Sequence, residues 1–320
     1  MSIYSNSTIH CLILNIFSTI FEIIVFFISL ILLCFIVYRL IFNNYNKNHL
    51  KHNIPIILSI NALCLHAIKS LVQFISVNIK TLQRDFYSII EPNDLFFCRL
   101  YSYIYFSIIS ALYWSYVLQG IFRFTRVLYP RNLRLHQSNI YLYLFVPGQI
   151  LFSCCSVLPL LVGFNSMRLI PDEFYCSISM EEYIPLIYFV LVIFCLPLSI
   201  LFILYICLIC NIRLLLFTRP FRHRNQRDYI AIRRINLVVS IVSITSVPAI
   251  IDVIVYAPKG HRNSFIYRLQ WISSSLNSLI FIISLPFVNP QLLEFLRKQQ
   301  RYTACDIPLH TTKRTYSEDF

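Results

Sequence analysis

Residues 98–130 read CRLYSYIYFSIISALYWSYVLQGIFRFTRVLYP, and this stretch decides the fold class of the chain. Between Cys98 and Arg123 the only charged residue is Arg99, near the start of the stretch. About 25 steps of 1.5 Å along a helix cover roughly 37 Å, enough to cross a bilayer core of about 30 Å and reach both interfaces. The stretch therefore predicts a membrane-spanning helix with a cysteine at one membrane face and an arginine at the other.

The whole chain has the composition of a membrane protein. Of its 320 residues, 58% are hydrophobic and only 13% are charged, against about 25% charged in a typical soluble domain. The connectors between the apolar segments are short and leave no room for a separate soluble domain. We therefore predict an all-α membrane protein, a seven-transmembrane helix bundle with spans at 14–38, 54–78, 99–121, 140–164, 184–211, 236–257 and 269–289.

The predicted domain organisation has four parts. Residues 1–13 form an extracellular tail, 14–289 the bundle, 290–300 a short amphipathic eighth helix on the membrane surface, and 301–320 a cytoplasmic tail. The first apolar segment is too long for a signal-peptide core, and no Lys or Arg precedes it, so we interpret it as an uncleaved span. In the tail, Cys305 is either a palmitoylation site or a free thiol.

The basic residues predict how the chain is oriented. A net charge of +13 raises the question of nucleic-acid binding. However, the connectors assigned to one face of the membrane hold 19 of the 27 Lys and Arg residues, and those assigned to the other face hold 7. This asymmetry is the one that the positive-inside rule describes for membrane proteins. We therefore expect the plasma membrane, with the N-terminus outside, the C-terminus inside and the basic face toward anionic lipid. The single glycosylation sequon, at Asn6, lies on the predicted outer side.

Two of the eleven cysteines lie at predicted outer boundaries, in an oxidising compartment. They are Cys98, at the start of the third span, and Cys176, in the loop between the fourth and fifth spans. We predict a disulfide that pins this loop over the third span, worth about 4 kcal/mol in the chain-entropy model. The alternative is two free thiols. Most of the other cysteines fall in or beside spans, where they act as small packing residues.

The two ends of the third span resemble a known family. Arg123 lies in Phe-Arg-Phe, followed by Val127 and Pro130, which is similar to an Asp-Arg-Tyr…Val…Pro signature, and Cys98 has the family's spacing before that arginine. Together with matches in other spans, this resembles the rhodopsin-like (class A) G-protein-coupled receptors over nearly the whole chain. The other matching residues are Phe194, Pro197, Tyr205, Pro248, Asn277, Ser278 and the turn at 287–292.

The resemblance implies a receptor that binds an extracellular ligand and activates a cytoplasmic heterotrimeric G protein when helix six moves outward. Arg123 then contacts the G protein, and Tyr205 belongs to the same switch. Because residue 122 is Phe, Asp228 on helix six is the candidate resting partner of Arg123; alternatively Asp228 is solvated or favours a helix N-terminus. Pro197 and Pro248 are candidate hinges or fixed bends.

The chain also departs from the family pattern. Phe122 replaces the acid before the arginine, Ser246 stands near Pro248 where tryptophan is usual, and Asn61 stands where an aspartate is expected. The Asn-Pro-x-x-Tyr box, which would fall at 281–285, is missing. We therefore do not expect the family's sodium site or its standard toggle. These departures resemble those of divergent chemosensory or peptide receptors of invertebrates.

Ionisable and aromatic residues in the outer half of the bundle are the candidate ligand site, because intramembrane charge is costly and points to function. Tyr105 occupies the position at which amine receptors carry aspartate, so a cationic amine is not expected and an apolar small molecule or a peptide is favoured. Alternatively, Glu22 and Lys69 simply pair, or Lys69 extends toward the interface. The candidates are Glu22, His66, Lys69, Tyr105, Phe106, Ser110, Asp252, Gln270 and Trp271.

Other function classes fit less well. An enzyme is not expected, because the sequence has no zinc motif, nucleophile elbow, P-loop or dinucleotide fingerprint, and only 4 glycines; no cofactor or metal is predicted. A small-molecule transporter would favour internal repeats, and seven spans do not divide into two inverted halves. A receptor-fold protein that no longer couples to G proteins stays open as an alternative, because of the missing boxes.

Overall fold

The computed structural model describes residues 6–42, 54–87, 95–129, 138–170, 173, 175–178, 182–218, 264–288 and 292. Within these ranges six helical segments are long and apolar enough to cross a membrane. The all-α, multi-pass membrane class is therefore confirmed. We name the segments spans 1 to 5 and the C-terminal span: His10–Tyr38, Ile54–Phe86, Phe96–Leu128, Tyr141–Gly163, Tyr183–Asn211 and Arg268–Pro286.

Several predictions fall on other parts of the chain. The predicted sixth span at 236–257 and nearly all of the eighth helix at 290–300 lie outside the described residues. The same holds for the candidates Asp228, Pro248, Asp252 and Cys305.

The helices extend beyond the apolar segments that predict them. The first helix begins at Asn6 rather than near residue 14, because Ile9, Leu12 and Ile13 continue the apolar sequence without proline or glycine. The helix of span 3 reaches both predicted boundary residues. The helix bounds are Asn6–Phe42, Ile54–Gln73, Ile79–Tyr87, Leu95–Leu128, Ser138–Ile140, Val146–Leu158, Tyr183–Phe189, Leu196–Thr218 and Ser264–Val288.

Short wider turns of π-helix interrupt three of the spans. In span 5 the wide turn Val190–Cys195 ends just before Pro197. Proline has no N–H to donate, and its ring clashes with the carbonyl four residues back, so a locally widened turn accommodates it. This wide turn is the physical feature from which a hinge or a fixed bend at Pro197 would arise. The other wide turns are Phe74–Asn78, Tyr141–Phe145 and Pro159–Gly163.

A small antiparallel hairpin covers one end of the bundle. Strand β1 (Met167–Ile170) pairs with β2 (Tyr175–Ile178), with Leu169 opposite Cys176. Just before β1, Asn165 adopts a positive φ of 48°, a conformation that Asn tolerates better than most residues. Its side chain accepts a hydrogen bond of 2.8 Å from Arg99 of span 3. The hairpin is therefore held to span 3 from its first residues.

A disulfide between Cys98 and Cys176 fixes the hairpin to span 3. The two Cα atoms are 5.4 Å apart, within the usual range for this bond, and the bond closes a sequence separation of 78 residues. Every side chain of β2 is buried. Met167 and Ile178 belong to the same buried hydrophobic cluster as Tyr105 and Phe106 of span 3, so the hairpin forms part of the hydrophobic core.

Removing this bond should destabilise the fold. We expect the Cys98→Ser/Cys176→Ser double variant to lose about 4 kcal/mol of unfolding free energy, since the closed loop is long. Equilibrium unfolding in lipid bicelles measures the loss, with Cys155→Ser as the control because that free thiol lies on an exposed helix face. A double variant as stable as the control contradicts the expectation.

The two larger hydrophobic clusters of the described residues lie at different depths in the bundle. The cluster at the hairpin end joins span 3 and the hairpin with spans 4 and 5. The other cluster joins spans 1, 2, 3 and 5 with the C-terminal span, and includes Val117, Leu201, Tyr205 and Phe281. Large apolar side chains on the outside of the helices, such as Ile31 at 65% exposure, lie on the surface that lipid would contact.

Candidate functional site

An aromatic cluster lies beneath the hairpin. Tyr105 of span 3 and Tyr175 of β2 both contact Trp271 of the C-terminal span, with ring centroids 5.2 and 5.6 Å apart, edge to face. The Trp271 Nε1 donates a 2.8 Å hydrogen bond to the Tyr175 hydroxyl. Phe106 packs edge to face on Phe189 of span 5 at 5.1 Å. Three of the predicted ligand residues, Tyr105, Phe106 and Trp271, therefore come together under the hairpin.

A buried ion pair lies between spans 1 and 2. The Lys69 Nζ is 2.8 Å from Glu22 Oε1, and both residues are essentially unexposed. Two serines of the C-terminal span complete the group: Ser275 donates to the same Glu22 oxygen at 2.6 Å, and Ser278 accepts from Lys69 at 3.3 Å. The structure thus shows the pairing that the sequence offered as the alternative to a ligand role.

The ion pair and the aromatic cluster belong to one polar network. The Tyr105 hydroxyl donates to Gln73 Oε1 at 3.0 Å, and the Gln73 amide donates to the Ser275 hydroxyl at 3.3 Å. Ser275 in turn donates to Glu22. Four helical elements therefore share one buried hydrogen-bond chain, which couples the position of the Tyr105 ring to the packing of spans 1, 2 and the C-terminal span.

A second charged cluster closes the hairpin end of the bundle. Arg268 makes two hydrogen bonds to Asp85 of span 2, at 2.8 and 2.9 Å, in the fork geometry that suits guanidinium and carboxylate. Glu173, on the turn between β1 and β2, lies 3.5 Å from Arg268 and 3.2 Å from Arg84. Because Arg268 and Glu173 are buried, the cluster is screened less by salt than a surface pair.

Neutral side chains brace this cluster. The Asn15 amide of span 1 donates to Asp85 at 3.2 Å and accepts from the Thr81 hydroxyl at 2.9 Å. A small cavity of about 10 Å³, room for roughly one water molecule, lies beside it. The cavity is lined by Asn15, Ser18, Val77, Asn78, Thr81, Arg268 and Trp271.

At the other end of span 3, Arg123 contacts span 5. Its guanidinium donates a hydrogen bond to the Tyr205 hydroxyl, which is itself buried. Phe122, at the position of the expected acid, is buried and packs edge to face on Tyr141 at 5.5 Å. The sequence named Arg123 and Tyr205 as members of one switch, and the structure brings them into contact.

Other predicted residues lie apart from the aromatic cluster. Ser110 meets Ser156 of span 4 at 3.3 Å, so it belongs to the packing between spans 3 and 4. His66 bonds the Tyr116 hydroxyl at 2.9 Å and stacks on Phe281, deeper in the bundle. Gln270 is half-buried on the C-terminal span, and Asn6 begins the first helix.

Sequence reasoning missed the cluster around Arg268. Arg84 and Arg268 were counted only as outer positive charges, and Asp85 and Glu173 were not singled out. One signal was available: these two acids and two arginines lie at or near the predicted outer ends of spans and in the outer loop. Any of them that is buried there needs a partner of opposite charge. Gln73 was also missed, because a lone amide in an apolar span gives no pattern.

These features define the class of the protein. It is an α-helical, multi-pass membrane protein in which a disulfide-anchored hairpin covers a buried aromatic and polar site. The chain matches no protein-family model and no curated protein.

Proposed function

We propose that this protein is a divergent rhodopsin-like G-protein-coupled receptor of the plasma membrane, with its hairpin end outside. It binds an extracellular peptide or small apolar molecule and activates a cytoplasmic heterotrimeric G protein through outward movement of helix six. One observation carries the proposal. The same helix, span 3, is tied to a hairpin over the aromatic site by Cys98 at one end and carries the Arg123–Tyr205 contact at the other.

The aromatic cluster supports ligand binding at the hairpin end. Tyr105, Trp271 and Tyr175 supply large apolar area with polar tips, which suits an apolar or peptide ligand. The hydrogen-bond chain through Gln73 links this cluster to the Glu22–Lys69 pair. A ligand that displaces the Tyr105 ring therefore alters contacts among several helices, which is the differential interaction that a conformational response requires.

The Arg123–Tyr205 contact supports a switch at the other end. A guanidinium at a membrane boundary needs a partner, and Tyr205 supplies one between spans 3 and 5. In the proposed resting state Asp228 of helix six also holds Arg123, and outward movement of that helix releases the arginine to the G protein. Pro197, behind the wide turn of span 5, and Pro248 of helix six are the proposed hinges.

Nucleotide exchange tests the proposal. The full chain in lipid nanodiscs should accelerate GTP binding to a heterotrimeric G protein when a panel of peptides and odorants is screened. Arg123→Ala should abolish the exchange, while Arg126→Ala, an exposed arginine on the next turn, should retain it. Asp228→Asn should raise basal exchange about fivefold or more, the usual scale of such coupling.

Three outcomes would separate the alternatives. Exchange that is unchanged in Arg123→Ala contradicts the proposed switch. Saturable ligand binding without exchange on any G protein supports a receptor-fold protein that no longer couples. Substrate flux across sealed vesicles supports a small-molecule transporter.

A further inference from the structure

Three polar atoms around the small cavity beside Arg268 have no hydrogen-bond partner among the described residues. They are Arg268 Nε, Asn78 Nδ2 and Ser18 Oγ. The three residues are at most 4% exposed, and all of them line the cavity. A buried polar atom without a partner is costly, so three of them around one space indicate a bound species that pairs with them.

The three side chains come from three separate parts of the bundle. Ser18 lies on span 1, and Arg268 begins the C-terminal span. Asn78 is the last residue of the wide turn Phe74–Asn78 in span 2, and wide turns of this kind often occur at functional sites. A species in the cavity therefore joins three spans at the hairpin end, next to Trp271, which also lines the cavity.

The size of the cavity and its polar groups suit one water molecule. The volume is about 10 Å³, and roughly 10–15 Å³ on this measure accommodates one water. The water oxygen accepts hydrogen bonds from the Nε–H of Arg268 and from the Asn78 amide, and one water hydrogen is donated to the Ser18 hydroxyl. Buried water typically makes about three hydrogen bonds, which is the number that these groups supply.

A halide ion would accept from the same donors, but the neighbouring carboxylate disfavours it. Arg268 already donates two hydrogen bonds to Asp85, at 2.8 and 2.9 Å. The amide of Asn15, another lining residue, donates to the same carboxylate at 3.2 Å. A halide would therefore lie close to a negative charge where salt screens weakly, whereas water carries no net charge.

We infer that this cavity is a binding site for one ordered water molecule, held by Arg268, Asn78 and Ser18. The water extends the hydrogen-bonded group around Asp85 to span 1 and to the wide turn of span 2. The site goes beyond the proposed function and does not depend on it, because the same three groups hold the water whatever the protein transmits or carries. None of its tests uses a G protein.

Two apolar substitutions distinguish a hydrated cavity from a dry one by the sign of their effect. In a dry cavity, Ser18→Ala and Asn78→Leu each remove an unpaired buried group, which leaves stability unchanged or raises it. In a hydrated cavity each variant removes a partner of the bound water. We expect each to lower the thermal unfolding midpoint of the full chain in nanodiscs by about 2–4 °C.

Ser70→Ala is the matched control. Ser70 of span 2 is 1% exposed, and its hydroxyl has no partner among the described residues, but it does not line this cavity. Its midpoint should rise or stay within about 1 °C. The Ser18→Ala/Asn78→Leu double variant should lose less than the sum of the single variants, because both act through the same water.

Three results of these measurements would overturn the water site. They are single variants at least as stable as the unaltered protein, losses that are fully additive in the double variant, and a loss in Ser70→Ala as large as that in Ser18→Ala.

A crystal structure of the unaltered full chain covers the case in which the variants do not fold. Crystals grown in a lipid mesophase, at a resolution that shows ordered water, should contain a density peak about 2.6–3.2 Å from both Arg268 Nε and Asn78 Nδ2. Crystals with bromide in place of chloride should show no anomalous peak there. An anomalous peak assigns the site to a halide, and a cavity without density is dry; either result contradicts the inference.

Discussion

Lys69→Met should lower the free energy of unfolding by about 3–5 kcal/mol, because it leaves Glu22 as a buried carboxylate without its cation. The Nζ of Lys69 lies 2.8 Å from Glu22 Oε1, and neither residue is exposed. Glu22→Gln should cost a similar amount for the converse reason. The Glu22→Gln/Lys69→Met double variant should recover most of the loss, since a neutral pair avoids an isolated charge in an apolar place.

Equilibrium unfolding in bicelles gives the four corners of this double-mutant cycle. The Arg168–Glu182 pair is the matched control: it is as close, at 2.6 Å, but about half exposed, so the same substitutions should cost about 0–1 kcal/mol. A double variant as unstable as the sum of the two single variants would show that the residues do not stabilise each other. That result would return Lys69 and Glu22 to the list of independent ligand candidates.

Arg268→Gln should have an effect of the same size at the hairpin end. The substitution removes the two short hydrogen bonds from Arg268 to Asp85 and removes the contact between Arg268 and Glu173. We expect a loss of about 3–5 kcal/mol, together with faster amide exchange in β1 and β2. Arg268→Lys should lie between, because an ammonium keeps the charge but cannot reproduce the planar fork.

Arg168→Gln provides the comparison for this variant. Arg168 lies on β1 of the same hairpin, but its partner Glu182 is on the surface. Thermal unfolding and hydrogen exchange of both variants should therefore separate the buried cluster from a general effect of removing one arginine. If Arg268→Gln behaves like Arg168→Gln in both measurements, the cluster does not hold the hairpin.

Both charged groups bear on how the proposed receptor would respond to a ligand. The Glu22–Lys69 pair joins spans 1 and 2 to the C-terminal span through Ser275 and Ser278, beneath the aromatic cluster. The Arg268 cluster joins the hairpin to the same helices above it. In the proposed receptor, a ligand between them would change contacts with both groups and so favour one arrangement of the helices over another.

Much of the fold could be predicted from the sequence, because crossing a bilayer depends on local properties. The length and apolarity of a segment decide whether it can span, and six of the seven predicted segments are such helices among the described residues. The exact ends were harder to predict. The first helix begins at Asn6, because helix propensity continues beyond the apolar core. Wide turns such as Val190–Cys195 depend on how a helix accommodates proline, which hydropathy does not report.

The candidate site was only partly predictable. Tyr105, Trp271, Glu22 and Lys69 were expected because aromatic and ionisable residues in a span stand out one at a time. The pairing of Glu22 with Lys69 was offered only as an alternative to a ligand role. The further partners Gln73, Ser275 and Tyr175 were not foreseen, since pairing depends on how each helix is rotated about its axis. The hydrogen bond from Ser275 to Glu22 joins residues 253 positions apart, and Arg268 meets Asp85 across 183. No local pattern in the sequence encodes such distances.

By itself, then, the sequence determined the membrane class, the positions of six of the seven predicted spans and the two cysteines at a span boundary, because each of these follows from local hydropathy and composition. The tertiary structure decided which charges neutralise one another. It placed the acidic loop residue Glu173 between Arg84 and Arg268, in a buried charged cluster. The physical reason is that a buried charge is stable only beside its partner, and only folding brings the partners together.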